Sequence, residues 1–129
     1  MTTINNGTTM TKRKAESFLP LTPATFHILL SLYEGVKHGY RIKRDVEDRT
    51  SGGIRLGAGT LYEAIQRLDR TGLISQTKSP PDVQTENARW KFYRITTFGK
   101  KTLNAELRRL EQDVGFARDL GLVAGSEDA

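Results

Sequence analysis

In the run Gly57-Ala58-Gly59-Thr60-Leu61-Tyr62-Glu63-Ala64-Ile65-Gln66-Arg67-Leu68-Asp69-Arg70-Thr71-Gly72-Leu73-Ile74, four apolar residues recur at helical spacing. Leu61, Ala64, Ile65 and Leu68 stand at i, i+3, i+4 and i+7, one face of an α-helix. Gly59 or Thr60 is expected to cap its start, and Gly72 falls where a left-handed C-cap residue belongs. The opposite face carries Thr60, Tyr62, Glu63, Gln66, Arg67 and Arg70. Hydroxyl, amide and guanidinium groups of this kind can hydrogen-bond base edges and phosphates in a major groove. A solvated surface helix would show the same polarity, so the flanking sequence has to decide.

The residues after the helix favour DNA. Leu73-Ile74-Ser75-Gln76-Thr77 leaves it directly as a predicted strand, and Arg89-Trp90-Lys91-Phe92-Tyr93-Arg94-Ile95 is a second, aromatic-rich one. Between them lie Ser79-Pro80-Pro81-Asp82 and Thr85-Glu86-Asn87, rich in chain breakers. A β-hairpin with so long a loop, set immediately behind a helix with a polar outer face, is the wing of a winged helix, here about 75–94. Arg89, Lys91 and Arg94 are placed to hold phosphates. Trp90 and Phe92 share one face of the strand and Tyr93 takes the other. Phe92 or Tyr93 is expected to pack on the helices.

Upstream, Thr22 and Pro23 open a helix as N-cap and first-turn residue, and Gly35 stops it. Its apolar spacing, Phe26, Leu29, Leu30 and Tyr33, marks core scaffold. His38-Gly39-Tyr40 begins a second helix reaching Arg49, with Ile42, Val46 and Tyr40 on its buried side. Its bases and acids fit a salt-bridged surface. Ser51-Gly52-Gly53 is a turn, and Ile54-Arg55-Leu56 is predicted as a short strand. Two helices joined through glycines form a helix-turn-helix pattern.

After the wing, Thr96 or Thr97 caps a last helix over about 97–119. Leu103, Leu107, Leu110, Val114 and Ala117 follow a 4-3-4-3 spacing, a coiled-coil-like seam. A helix about 33 Å long exceeds what one small domain covers, so the seam calls for a second subunit. Gly115 is an interior residue that can bend or end it.

Composition bounds the function. The 129 residues fit one domain with an added element. There is no cysteine, which excludes disulfides, thiol catalysis and cysteine-held metals. His27 and His38 stand alone, and no nucleophile–base pair or phosphate-binding fingerprint is present, so neither an enzyme nor a metal or cofactor is expected. No apolar run is long enough to span a membrane, and Met1 to Met10 lacks a secretory h-region, so the expected location is cytoplasmic. Residues 1–101 carry seventeen bases against nine acids, and residues 102–129 three against six. A basic body with an acidic tail points to a polyanionic partner.

Taken together, Leu19-Pro20-Leu21-Thr22-Pro23-Ala24, His38-Gly39-Tyr40-Arg41-Ile42, Gly59-Thr60-Leu61-Tyr62-Glu63-Ala64-Ile65-Gln66-Arg67-Leu68 with Gly72-Leu73-Ile74, and Lys91-Phe92-Tyr93-Arg94-Ile95-Thr96 with Gly99 resemble the PadR-like transcriptional regulators. The likeness covers about 20 to 115 and is nearest to the short-tailed branch with one C-terminal helix. It implies a winged helix-turn-helix homodimer that represses transcription and is often released by a small aromatic or drug-like effector. Two departures stand out: Glu63 replaces a proline usual after the tyrosine, and the last helix lacks the tryptophan that some drug-binding members stack on ligands.

The expected fold is thus mainly α with a small β-hairpin wing, a winged helix-turn-helix followed by a C-terminal dimerisation helix. Residues 1–19 form a flexible arm, 20–96 the DNA-binding domain, 97–120 the dimerisation helix and 121–129 a flexible acidic tail. DNA contact is assigned to Thr60, Tyr62, Gln66, Arg67, Arg70, Arg89, Lys91 and Tyr40, with about 59–71 in the major groove. Dimerisation falls to Leu103, Leu107, Leu110, Val114 and Ala117. A small-molecule effector is assigned to Trp90 and Phe92, in a cleft between the wing and the last helix near Leu103. The competing reading is a winged-helix protein–protein interaction module, whose outer face would carry more exposed apolar residues than Gln66, Arg67 and Arg70.

Overall fold

The computed structural model describes residues 14–81 and 90–123. Helix α1 spans Pro23–Tyr33, with Thr22 as N-cap accepting from the Thr25 N–H. The side chains it buries are Thr25, Ile28, Leu29, Ser31 and Leu32. The stripe is therefore turned from the one expected: Tyr33 is exposed, and Phe26 and Leu30 are only partly covered. Phe26, Leu29, Leu30 and Tyr33 share helical spacing with Thr25, Ile28, Leu29 and Leu32, and apolar periodicity alone could not choose between adjacent stripes.

Gly35 has a positive φ of 150° and turns the chain into β1, Lys37–His38. Helix α2, Gly39–Arg49, comes next with His38 as its N-cap: the imidazole Nδ1 accepts from the Arg41 N–H at 3.3 Å. Ile42 and Val46 are buried as expected, but Tyr40 is exposed rather than core. Most charges of α2 pair off, among them Arg41 with Asp45 at 3.2 Å and Lys43 with Glu47 at 3.0 Å. Lys37 also reaches Asp45, which accepts from the Ser31 hydroxyl. Asp45 stays below the usual carboxylate range: burial pushes it up, but the Lys37 and Ser31 hydrogen bonds and the charges of Lys37 and Arg41 outweigh that.

Residues 54–56 form no strand; they are a bend leading to helix α3, Ala58–Arg70. The third strand is β1 instead. It pairs antiparallel with β3, Phe92–Ile95, which also pairs with β2, Ile74–Thr77, giving the sheet order β1-β3-β2. Opposed pairs are His38 with Phe92, Gln76 with Tyr93, and Ile74 with Ile95. The two wing strands are shorter than the sequence predicts, and Arg89 lies outside the described residues.

Leu61, Ala64, Ile65 and Leu68 of α3 join Ile28, Leu32, Ile42, Val46, Leu73 and Ile74 in one core. Burying a side chain of this size contributes about 1.5–3 kcal/mol, so the expected apolar face alone holds α3 in place. Helix α4 covers Thr97–Asp119, with Thr96 as N-cap accepting from the Gly99 N–H. The Thr96 hydroxyl also donates to the Gly72 carbonyl at 2.5 Å, and the Thr96 N–H to Leu73 O at 3.1 Å. A Cβ on Gly99 would stand 2.1 Å from Leu73 O. The last helix thus sits directly on the C-terminal turn of α3, whose Gly72 has φ 84°.

The six described residues of the expected arm are partly docked. Residues 14–16 form a helical turn, Ala15 is buried, and Phe18 meets Phe98 of α4 edge-on at 5.9 Å. The Leu21 N–H donates to Glu106 at 2.8 Å, a carboxylate only 2% exposed that also binds Arg109. The remainder of the arm and residues 124–129 lie outside the described residues.

Candidate nucleic-acid interface

The cap of helix α3 lies earlier in the chain than expected. Gly57 is the N-cap and provides no side-chain hydrogen bond, so Gly59 and Thr60 fall inside the first turn. The free N–H groups of that turn and the positive end of the helix dipole face solvent. Thr60, Tyr62, Glu63, Gln66, Arg67 and Arg70 are all exposed, as the sequence predicts. Among the described residues, Glu63, Arg67 and Arg70 make no ion pair, whereas most of α2's charges are paired. The contrast separates a solvated, salt-bridged helix from one whose cations are unengaged. Arg67 and Arg70 also lie in the last turn, where cations offset the negative helix end.

The structure divides the seven described residues of the eight assigned contacts into two groups. Tyr62 and Gln66 on α3, Tyr40 at the start of α2 and Lys91 on the wing line one concavity of about 540 Å³. Thr60, Arg67 and Arg70 are outside it, on the outer side of α3, and Arg89 is outside the described residues. Tyr62 is held close to α2: a Cβ on Gly39 would meet the Tyr62 hydroxyl at 2.9 Å and its ring at 3.1 Å. Glycine at the first position of α2 is what lets the tyrosine ring lie there.

Sequence reasoning missed His38 as an organiser. Besides capping α2, its ring stands 4.5 Å from Trp90 and 5.5 Å from Phe92, centroid to centroid. Burial, and then the nearby Arg41 charge, lower its pKa from the usual 6.5. The neutral ring is also the one whose Nδ1 can accept the cap hydrogen bond. A two-residue strand is too short to show alternation, so nothing in the sequence announced the β1–β3 pairing that brings these rings together. Asp69, Gln76 and Tyr93 line the same concavity and were likewise not singled out as a group.

The effector assignment needs correction. Phe92 is buried and packs on His38, and Leu103 is 4% exposed in the core. Trp90 does line a concavity, but one shared with α2 and α3, not with the last helix. Leu103, expected on a subunit seam, packs instead within its own core. Leu107 and Val114 are exposed, and Leu110 and Ala117 half-buried. Helix α4 continues through Gly115 without ending there.

Residues 28–105 match the model of the transcriptional regulator PadR-like family. A protein described as uncharacterized, from Lysinibacillus sphaericus, is 32% identical over 77 residues, 60% of this chain and 68% of its own length. The structure of a transcriptional regulator from Clostridium thermocellum is similar at TM-score 0.61 and 26% identity, over 74% of this chain and 87% of that one. PadR of Bacillus subtilis, solved in complex with operator DNA, is similar in fold at TM-score 0.56 and 22% identity, over 70% of this chain and 48% of that one. Among the described residues, no helix is long and apolar enough to cross a membrane.

Proposed function

Because this chain belongs to the PadR-like family of transcriptional regulators, we propose that it is a homodimeric, cytoplasmic repressor that binds operator DNA through α3 and the wing. The observation that carries this reading is the unpaired polar face of α3 set beside Tyr40 and Lys91. Tyr62 and Gln66 face the major groove, Thr60 with the free N–H groups of the first turn takes a phosphate, and Arg67, Arg70, Lys91 and Arg89 add backbone contacts. Glu63, exposed one residue after Tyr62, accepts from a cytosine amino group.

The dimer is assigned to α4. Its 23 residues span about 34 Å, yet its buried residues, Gly99, Thr102, Leu103 and Glu106, all fall in the first half. Leu107, Leu110, Val114 and Ala117 continue along one stripe that the described chain leaves exposed at Leu107 and Val114 and only half-covered at Leu110 and Ala117. Charge supports an antiparallel pairing. The first half carries Lys100, Lys101, Arg108 and Arg109 against Glu106, the second Glu111, Asp113 and Asp119 against Arg118. Two such helices running oppositely set basic halves against acidic ones and hold two α3 helices apart for successive major grooves, about 34 Å.

Fluorescence anisotropy with the duplex upstream of its own gene tests the contacts. Tyr62→Ala is expected to weaken binding by about 1–3 kcal/mol and relax sequence preference. Lys91→Ala should weaken all duplexes alike and reduce the slope of log K against log salt by about 0.9. Unchanged affinity in both variants would refute the interface.

A further inference from the structure

The sheet that carries the wing ends just short of the lysine assigned to the DNA backbone. Both pairings of β3 close at Phe92, which stands opposite His38 of β1 and Thr77 of β2. Trp90 and Lys91 precede the strand and lie outside both ladders, and Lys91 is exposed. What holds this stretch is ring contact. Trp90 stands 4.5 Å from the His38 ring at a tilt of 38°, and Phe92 meets the same ring edge-on at 5.5 Å. These are separations at which aromatic rings attract, so Lys91 sits between two residues that both rest on one imidazole. The imidazole is itself fixed from behind. Its Nδ1 accepts the Arg41 N–H at 3.3 Å as the cap of α2, which leaves the proton of the neutral ring on Nε2. The next residue, Gly39, is where the Tyr62 ring of α3 rests. One side chain thus joins the start of α2, the helix packed against it and the loop end of the wing.

We propose that His38 is a positioning residue for the DNA contact of the wing: its capped ring holds Trp90, and so fixes where Lys91 meets the phosphate backbone relative to Tyr62 and Gln66. This rests on the DNA reading above. A lysine side chain already loses much rotamer freedom when it engages a phosphate, and a backbone left loose at its root would have to be ordered as well. With Trp90 seated on His38, the chain at Lys91 is ordered before DNA arrives, and binding bears only the side-chain cost. His38 needs no contact with DNA and brings no charge to it. Burial, and then the Arg41 charge, lower its pKa from 6.5, so the ring is neutral at about pH 8.

The chain has a single tryptophan, and it is the one that stacks, so its fluorescence reports the contact directly. His38→Asn keeps an acceptor for the cap and removes the ring, with circular dichroism confirming that the variant folds. At about pH 8 this substitution removes no charge. Even so, the anisotropy of Trp90 should fall and its quenching by acrylamide should rise. On the duplex upstream of its own gene, the slope of log K against log salt should drop by about 0.9, as in Lys91→Ala. The double variant His38→Asn, Lys91→Ala should lose no more slope than Lys91→Ala alone, whereas the affinity losses of His38→Asn and Gln66→Ala should add. A parental slope in His38→Asn, a double variant whose slope loss is the sum of the two, or an unchanged Trp90 anisotropy would overturn the role. A parental slope in Lys91→Ala would refute the DNA reading of the wing and this role with it, leaving only the ring contact that Trp90 reports.

Discussion

Replacing Gly99 by alanine puts the contact between α4 and α3 under a defined load. The new Cβ would lie 2.1 Å from Leu73 O, 2.8 Å from Ile95 Cγ1 and 3.0 Å from Leu73 C. Two of these are backbone atoms, so no side-chain rotation relieves the clash. An ordinary carbon–oxygen contact requires about 1 Å more, and that shift must be taken by α4 as a body or by the turn at Gly72. Either movement strains the two hydrogen bonds that Thr96 donates, its N–H to Leu73 O and its hydroxyl, shared between Gly72 O and Leu73 O. Overpacking costs about 1–3 kcal/mol and two weakened hydrogen bonds about 0.5–1.5 kcal/mol each, against a gain of about 0.5–1 kcal/mol in helix propensity. The net is about 1–5 kcal/mol of destabilisation, at roughly 4 °C of Tm per kcal/mol for a chain this size. Gly115→Ala is the matched control. A Cβ there meets nothing within 4 Å, so propensity alone operates and stability should rise by about 0.5–1 kcal/mol. Thermal and urea unfolding followed by circular dichroism compares the pair. A Gly99→Ala variant as stable as the parent would refute the close approach of α4 to the α3 C-terminus.

Two other perturbations probe the same geometry. The double variant Leu110→Glu, Val114→Glu alters side chains outside the monomer core; it should sediment as a monomer with its helicity retained, and persistence of the dimer would contradict the α4 seam. His38 has a folded-state pKa below its usual 6.5, so its contribution is present above about that pH and is lost as pH falls through the lowered folded value. Between about pH 7 and pH 5 the parent should therefore lose more stability than His38→Asn, which keeps a capping acceptor without a titrating ring. His27, lowered by burial and then by Arg49, keeps the variant from being wholly insensitive. Equal pH dependence of the two would remove His38 as a titrating cap.

The periodic parts of the fold were legible in the sequence, and the parts set by tertiary pairing were not. Leu61, Ala64, Ile65 and Leu68 declared α3 because four apolar residues fell on one helical stripe, and Thr96 or Thr97 declared α4 because a hydroxyl before a helical run satisfies its first N–H groups, Thr96 being the one that does so. Lys37 and His38 form β1 only because β3 lies beside them, and two residues carry no period to read. Ile54-Arg55-Leu56 alternates as a strand would, yet it pairs with no strand among the described residues; Leu56 is buried and Ile54 packs against the core from its edge. Leu103 fits a heptad and is core, because the first turns of α4 cover their own domain before the helix leaves it. At the candidate site, exposure of the α3 polar face came from its opposite stripe. The meeting of Tyr40, Tyr62 and Lys91 depends on how three separate elements pack, which spacing within any one of them cannot express.

If the outer face of α3, held beside the wing, reads DNA, selection from a random duplex pool with the purified protein will reveal what it reads. The expected product is an enriched two-fold-symmetric motif with half-sites about 34 Å apart, and Gln66→Ala should lose preference at defined positions of that motif. A pool that shows no enriched motif, or a Gln66→Ala protein that selects the same motif with the same preference at every position, would contradict it.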